Sequence, residues 1–404
     1  MTDNPPDVLA ARAGWKVTTV VMAAPVAVLS GMQLILPLLP VIQRELGLTD
    51  AEISLVSSVY LLPGVLLAIP AGLLGDRIGR RLLFGWSLVI FGLAGLLLFF
   101  RHDFPTVLGA RLLQGFAFAA ILPLTITMIG ELWGNEGQLR TQGMRVVGMN
   151  VANVVWPMIG GLIAAAAWES MFLLQGLALP LGIAALFVLP KDAKSFRQPA
   201  NRPRSSLFQM MKTRRALTVE ATAFLRFLGR FGFLTYGPIL LVTRLGFTPI
   251  EAGLVLGAAA LCATVSAGST GWLAGRVRPS RLLTSASLGM ATGLLLLSAG
   301  GIGAWVGPLL FGTADGVFAV VHSGFMTEAV PRNLRASFVA TTGAIKNLGK
   351  FLAPSLVVAL LVVVRLDVAF VVLALLTASM APLARVLRTL DGRLAPHPAP
   401  IPVE

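Results

Sequence analysis

The chain has 404 residues, 56% of them hydrophobic and 12% charged, with a mean hydropathy of +0.83. A soluble domain carries about 25% charged residues, so this composition excludes an ordinary soluble fold and describes a protein solvated by lipid. The net charge of +14 sits in short loops between apolar runs, which is the pattern of membrane topology rather than of a nucleic-acid face, and the single Cys262 excludes both an intramolecular disulfide framework and a cysteine metal cluster.

Twelve runs are long enough to cross a bilayer as helices, at 16–39, 53–74, 82–100, 105–130, 142–165, 169–190, 218–242, 250–274, 281–299, 302–328, 337–363 and 367–388. A helix satisfies its own backbone hydrogen bonds in lipid. The segments of about ten alternating residues that mark a barrel are missing. The polar residues 1–13 lead into span one without a cleavage site, so no cleavable leader is expected. Span one carries no acid, and Gln33 is the large polar side chain in its middle.

Between spans two and three lies Gly72-Leu73-Leu74-Gly75-Asp76-Arg77-Ile78-Gly79-Arg80-Arg81. Its glycines let two helix ends approach, and Asp76 can cap a helix or pair with an arginine. Gly72, Asp76, Arg77, Gly79, Arg80 and Arg81 therefore read as a gate, or as a plain topology anchor with solvated charges. Span four holds Arg111-Leu112-Leu113-Gln114-Gly115 and is followed by Glu131. A charge inside a span is costly and usually marks function, so Arg111 is a candidate for substrate or proton electrostatics, the alternative being a structural bond to backbone carbonyls. Span five carries Gly148, Asn150, Asn153, Trp156, Pro157, Gly160 and Gly161. The amides either line a pathway or join helices, and the proline and glycines mark a bend that favours Trp156 as a pocket residue.

Residues 191–217 bear eight basic residues and one acid, with proline and serine and no apolar period. They read as a cytoplasmic linker between a first bundle, 1–190, and a second, 218–404 with its short tail. The even-numbered loops hold the excess arginine, which places both termini in the cytoplasm.

Span seven places Arg226 and Arg230 at i and i+4, and span eleven repeats the spacing with Lys346 and Lys350 around Asn347. Each pair shares one helix face. The acids nearby are Glu220, Asp315 and Glu328, of which Glu220 and Glu328 fall near span ends. These residues suggest a cationic cavity for an anionic or zwitterionic solute, or an internally paired structural cluster. Tyr236, beside glycine and proline, is a further pocket candidate. Asp315 and His322 lie seven residues apart on span ten, two turns along roughly one face, and are candidate proton carriers or structural partners of the nearby cations.

The two halves repeat one another. Glu45-Leu46-Gly47-Leu48-Thr49 before span two matches Arg244-Leu245-Gly246-Phe247-Thr248 before span eight, and the Gly72–Arg77 landmark recurs in altered form at Gly271–Arg276. Such repeats suggest a transporter with its site at the repeat interface. The loop motif, the twelve spans and the long linker together resemble the major facilitator superfamily over nearly the whole chain, and span five is similar to the glycine-proline motif of its drug and metabolite antiporters.

The resemblance implies an all-α membrane fold of two six-helix bundles around a central cavity, in a protein of the cytoplasmic (inner) membrane that works as a monomer by alternating access. Proton-coupled efflux of drugs or metabolites is the expected activity, with Arg111, Glu131, Asp315 and His322 as candidates for coupling. Import or exchange of a small organic anion is the alternative, and a lipid-moving or sensor protein a more distant one. The acid that many cation exporters carry on span one is missing, which counts against a cationic-drug pump. No phosphate-binding loop and no metal-ligand motif occurs in the sequence, so neither an enzyme nor a bound cofactor is expected. The partners are a small solute, protons and lipid.

Overall fold

In a computed structural model the chain is described over residues 14–66, 78–133, 135–164, 167–190, 213–331 and 334–394. Gly72, Asp76 and Arg77 of the loop motif, the side chain of Glu131 and most of the 191–217 linker lie outside the described residues.

Among the described residues the fold is helical throughout, with no strand. In the first half α1 is Trp15–Gln33, followed by a 3-10 turn at Leu36–Leu38, α2 is Leu39–Glu45, α3 Asp50–Leu66, α4 Arg80–Phe100, α5 Phe104–Leu132, α6 Asn135–Ala164, α7 Ser170–Gly176 and α8 Ala178–Val188. In the second half α9 is Arg214–Thr243, α10 Pro249–Ala274, α11 Pro279–Ala299, α12 Gly303–Glu328, α13 Arg335–Leu361, α14 Leu366–Ala378 and α15 Met380–Ala384. A 3-10 stretch, Arg385–Leu390, and the short α16, Asp391–Leu394, complete the chain.

Eleven stretches among the described residues are long and apolar enough to span a membrane. The remaining predicted span, 53–74, begins as α3 and continues outside the described residues.

Three predicted spans are interrupted rather than straight, and each break has a proline one turn downstream. Pro37, Pro180 and Pro382 lack the N–H that would bond the carbonyls of Gln33, Gly176 and Ala378, where α1, α7 and α14 end.

The sequence repeat is visible in atomic detail. Gly47 and Gly246 both take positive φ, +63° and +73°, which suits a residue without Cβ. Thr49 and Glu52 then form a reciprocal cap on α3. The Thr49 N–H and hydroxyl donate to Glu52 Oε2 at 2.9 and 2.8 Å, and the Glu52 N–H returns to Thr49 Oγ1 at 3.3 Å. Thr248 and Glu251 repeat it on α10 at 2.8, 2.9 and 3.2 Å.

The chain forms two compact units. One comprises Met1–Pro199, Leu234–Gly257 and Pro354–Ala359, the other Ala200–Phe233, Ala258–Ala353 and Leu360–Glu404. The first is centred on buried Tyr60, Phe84, Phe91 and Phe172, the second on Phe233, Phe318, Phe325, Phe338 and Phe370. Large apolar side chains such as Phe100, Phe187 and Val362 point outward, as a lipid-facing surface requires.

Candidate functional site: a cationic cluster in the second unit

The i, i+4 spacing on α9 places Arg226 and Arg230 together, and both meet Asp315 on α12. Arg226 Nε donates to Asp315 Oδ1 at 2.6 Å, and its Nη2 to the Asp315 carbonyl at 3.3 Å. Arg230 Nη1 donates to Oδ2. The Arg226 and Asp315 side chains are 8% and 3% exposed. The Arg226 guanidinium also lies 5.0 Å from the Phe227 ring and 5.6 Å from that of Phe318, where the ring faces attract a cation.

Helix α13 brings the lysines alongside. A Cβ on Gly349 would stand 2.8 Å from the Phe224 carbonyl oxygen, so α13 approaches α9 this closely because position 349 carries no side chain. Lys350 Nζ donates to Asn347 Oδ1 at 3.1 Å and lies 5.1 and 5.7 Å from the rings of Phe227 and Phe231. Lys346 lies one turn earlier on the same face of α13. It makes no hydrogen bond or ion pair among the described residues. On α9, Glu220 Oε1 meets the Thr342 hydroxyl at 2.7 Å. His322 Nε2 lies 2.9 Å from the Val219 carbonyl oxygen, and its ring stacks on Phe318.

The cluster thus joins four cations, Arg226, Arg230, Lys346 and Lys350, to two acids, Asp315 and Glu220. Both oxygens of Asp315 are occupied by arginines. Two arginines share the single charge of Asp315, so the cluster keeps an excess of positive charge, and the two lysines are its cations that form no ion pair among the described residues. In a low-dielectric interior such an excess favours a bound anion.

The candidates in the first unit make helix-to-helix ties. Gln33 donates to Asn153 Oδ1 at 2.6 Å, joining α1 to α6, and Trp156 Nε1 donates to the Val26 carbonyl at 3.0 Å. Asn150 is half-buried one turn before Asn153. Arg111, 1% exposed, donates through Nη1 to the Gly31 carbonyl at 2.7 Å and to Gln114 Oε1 at 2.8 Å. Gln114 passes the chain to Gln175 at 2.7 Å. The guanidinium lies 5.1 Å from the Tyr60 ring, and Tyr60 donates to the Val28 carbonyl at 2.8 Å. No carboxylate pairs with Arg111 among the described residues.

Tyr236, buried, donates to the Asp50 carbonyl at 3.1 Å. Helix α6 runs unbroken through Pro157, with Gly148 near Val26 and Gly160 against Leu34 and Pro37. A Cβ on Gly161 would stand 2.6 Å from the Pro249 carbonyl oxygen, and one on Gly253 2.5 Å from that of Pro157, so α6 and α10 meet backbone to backbone. In the loop motif, Gly79 takes φ +94° ahead of α4, Arg80 opens the helix, and Arg81 Nη2 donates to the Leu186 carbonyl.

Sequence reasoning passed over Phe227, Thr342 and the depth of Glu220. It set Glu220 near a span end, and Glu220 is indeed on the second turn of α9, but what it missed is that the side chain there is 5% exposed. Thr342 lies four residues before Lys346, a same-face spacing that could have linked the two.

A family model described as Major Facilitator Superfamily matches residues 21–354. The 3-(3-hydroxy-phenyl)propionate transporter of Escherichia coli K12 is 28% identical over 303 residues, 73% of each chain. The bacillibactin exporter of Bacillus subtilis 168 is 28% identical over 155 residues, 36% of this chain and 38% of that protein. The quinolone resistance protein NorA of Staphylococcus aureus is 24% identical over 164 residues, 41% of this chain and 42% of that one. A bacterial homologue of the human lysosomal transporter Spinster, solved inward-facing and unoccupied, superposes with a TM-score of 0.76 at 12% identity, covering 99% of this chain and 100% of that one. A D-xylose–proton symporter gives 0.75 at 15% identity, with 95% and 98% covered. At these identities the structural likeness establishes the twelve-helix fold.

Proposed function

We infer that this chain, which belongs to the Major Facilitator Superfamily, carries a small organic anion across the cytoplasmic membrane by secondary active transport. That it is a transporter rather than an enzyme follows from the family and the relatives. The nature of the solute is our reading, and one observation carries it. Asp315 takes up both arginines, while Lys346 and Lys350 form no ion pair with a carboxylate among the described residues.

A carboxylate fits between two ammonium groups, and Phe227 and Phe231, beside Lys350, suit an aromatic body attached to it. An aryl-alkyl carboxylate is the class we propose, and the Escherichia coli relative, a 3-(3-hydroxy-phenyl)propionate transporter, agrees with it in chemistry. Of the two activities expected from sequence, anion import or exchange accounts for this cluster better than drug efflux does.

Coupling to protons, cytoplasmic termini and a monomeric state belong to the same proposal. The test is uptake of radiolabelled 3-phenylpropanoate by proteoliposomes under an imposed pH gradient. Accumulation well above empty liposomes that collapses with the gradient supports the reading. Uptake equal to empty liposomes contradicts it.

A further inference from the structure

We propose that Glu220 carries the proton of this transport cycle, its protonation removing a negative charge of the cluster that the substrate carboxylate then replaces. The proposal rests on the coupled anion transport inferred above and goes beyond it by assigning the group.

Glu220 is buried on the second turn of α9, and its Oε2 has neither solvent nor a hydrogen-bond partner. Its Oε1 is 2.7 Å from Thr342 Oγ1, which is also 2.9 Å from the Phe338 carbonyl oxygen. A hydroxyl has one hydrogen to give. When Glu220 is ionised, the Thr342 hydrogen points to the carboxylate. When Glu220 is protonated, its own O–H donates to Thr342 Oγ1, and the Thr342 hydrogen turns to the Phe338 carbonyl. The same heavy atoms serve both states.

Lys346 follows Thr342, the partner of Glu220, by one turn on the same face of α13. One proton bound to Glu220 forms an O–H bond and cancels its negative charge, and the substrate carboxylate then balances the lysines on α13. Proton and monoanion load together and leave together, with no net charge moved.

The other charged groups around Glu220 are otherwise engaged or cationic. Arg226 and Arg230 on α9 are bound to Asp315 of α12. His322 of α12 faces the Val219 carbonyl. Lys350 of α13 is held by Asn347, and Glu328 pairs with Arg335. Asp315 would have to give up a guanidinium to take a proton, whereas Glu220 gives up nothing.

The experiment compares the full-length protein with Glu220→Gln and Glu220→Asp in proteoliposomes, using 3-phenylpropanoate. Glutamine keeps the Thr342 contact but cannot carry a proton. It should lose gradient-driven accumulation at least tenfold more than it loses one-for-one exchange of labelled for unlabelled probe, and aspartate should restore accumulation in part. Wild-type accumulation by Glu220→Gln, or equal loss of exchange and accumulation in both variants, overturns the assignment and leaves the anion reading standing. A wild-type protein that exchanges the probe but ignores the gradient overturns the coupling itself, and this assignment with it.

Discussion

Arg226 grips Asp315 at two points, through Nε on the carboxylate at 2.6 Å and through Nη2 on the main-chain carbonyl at 3.3 Å. With Arg230 on the second carboxylate oxygen, this ion group staples α9 to α12. It sets the positions of Phe227 and, across Gly349, of the lysines.

Breaking a buried ion group by removing one partner costs about 3–5 kcal/mol, because a charge is left unpaired. Asp315→Asn is therefore expected to lower thermal stability in detergent sharply. Arg226→Met with Arg230→Met and Asp315→Leu, which leaves no stranded charge, should recover at least half of that loss. Unfolding followed by the fluorescence of the native tryptophans reads both.

Phe227 and Phe231 flank Lys350 with ring centroids 6.2 Å apart. An aromatic contact is worth about 0.5–1.5 kcal/mol beyond its buried area. Replacing either ring by leucine should narrow the preference for 3-phenylpropanoate over hexanoate by about two- to tenfold, measured as competition against labelled uptake.

Arg111 holds the Gly31 carbonyl and Gln114 with one nitrogen while its plane lies near Tyr60. A lysine has no planar fork and no comparable ring stacking. Hydrogen bonds to charged groups are worth about 1.5–3 kcal/mol each, so Arg111→Lys should destabilise by an amount in that range. A melt unchanged from wild type would show that the Gly31 and Gln114 contacts contribute little.

Gly161 and Gly253 leave no room for a Cβ at the α6–α10 contact, and overpacking costs about 1–3 kcal/mol. Gly161→Ala should reduce stability or flux. Gly143→Ala, with nothing within 4 Å of the added carbon, is the matched control and should lower neither, since alanine in a helix interior is favoured over glycine by about 0.5–1 kcal/mol.

Much of this was legible in the sequence, because lipid makes strong demands. The apolar runs and the repeat before α3 and α10 follow from backbone satisfaction and capping, which are local. The i, i+4 spacings of Arg226 with Arg230 and of Lys346 with Lys350 fixed shared faces for the same reason. What stayed hidden was pairing across helices. Nothing in the spacing shows that Asp315 meets both arginines and neither lysine, or that Thr342 reaches Glu220. Gln33 stands out as a polar side chain within a span, and Trp156 and Tyr236 for lying beside proline and glycine, but the hydrogen bond each makes to a neighbouring helix is not readable from those signals.

The central claim is that Lys346 and Lys350 hold the carboxylate of the solute. Calorimetric titration of the purified protein with 3-phenylpropanoate and with its neutral amide tests it most directly. The acid should bind at least tenfold more tightly than the amide, and a Lys346→Ala/Lys350→Ala variant should lose that difference. Equal binding of acid and amide by the wild type, or an undiminished preference in the double variant, would contradict it.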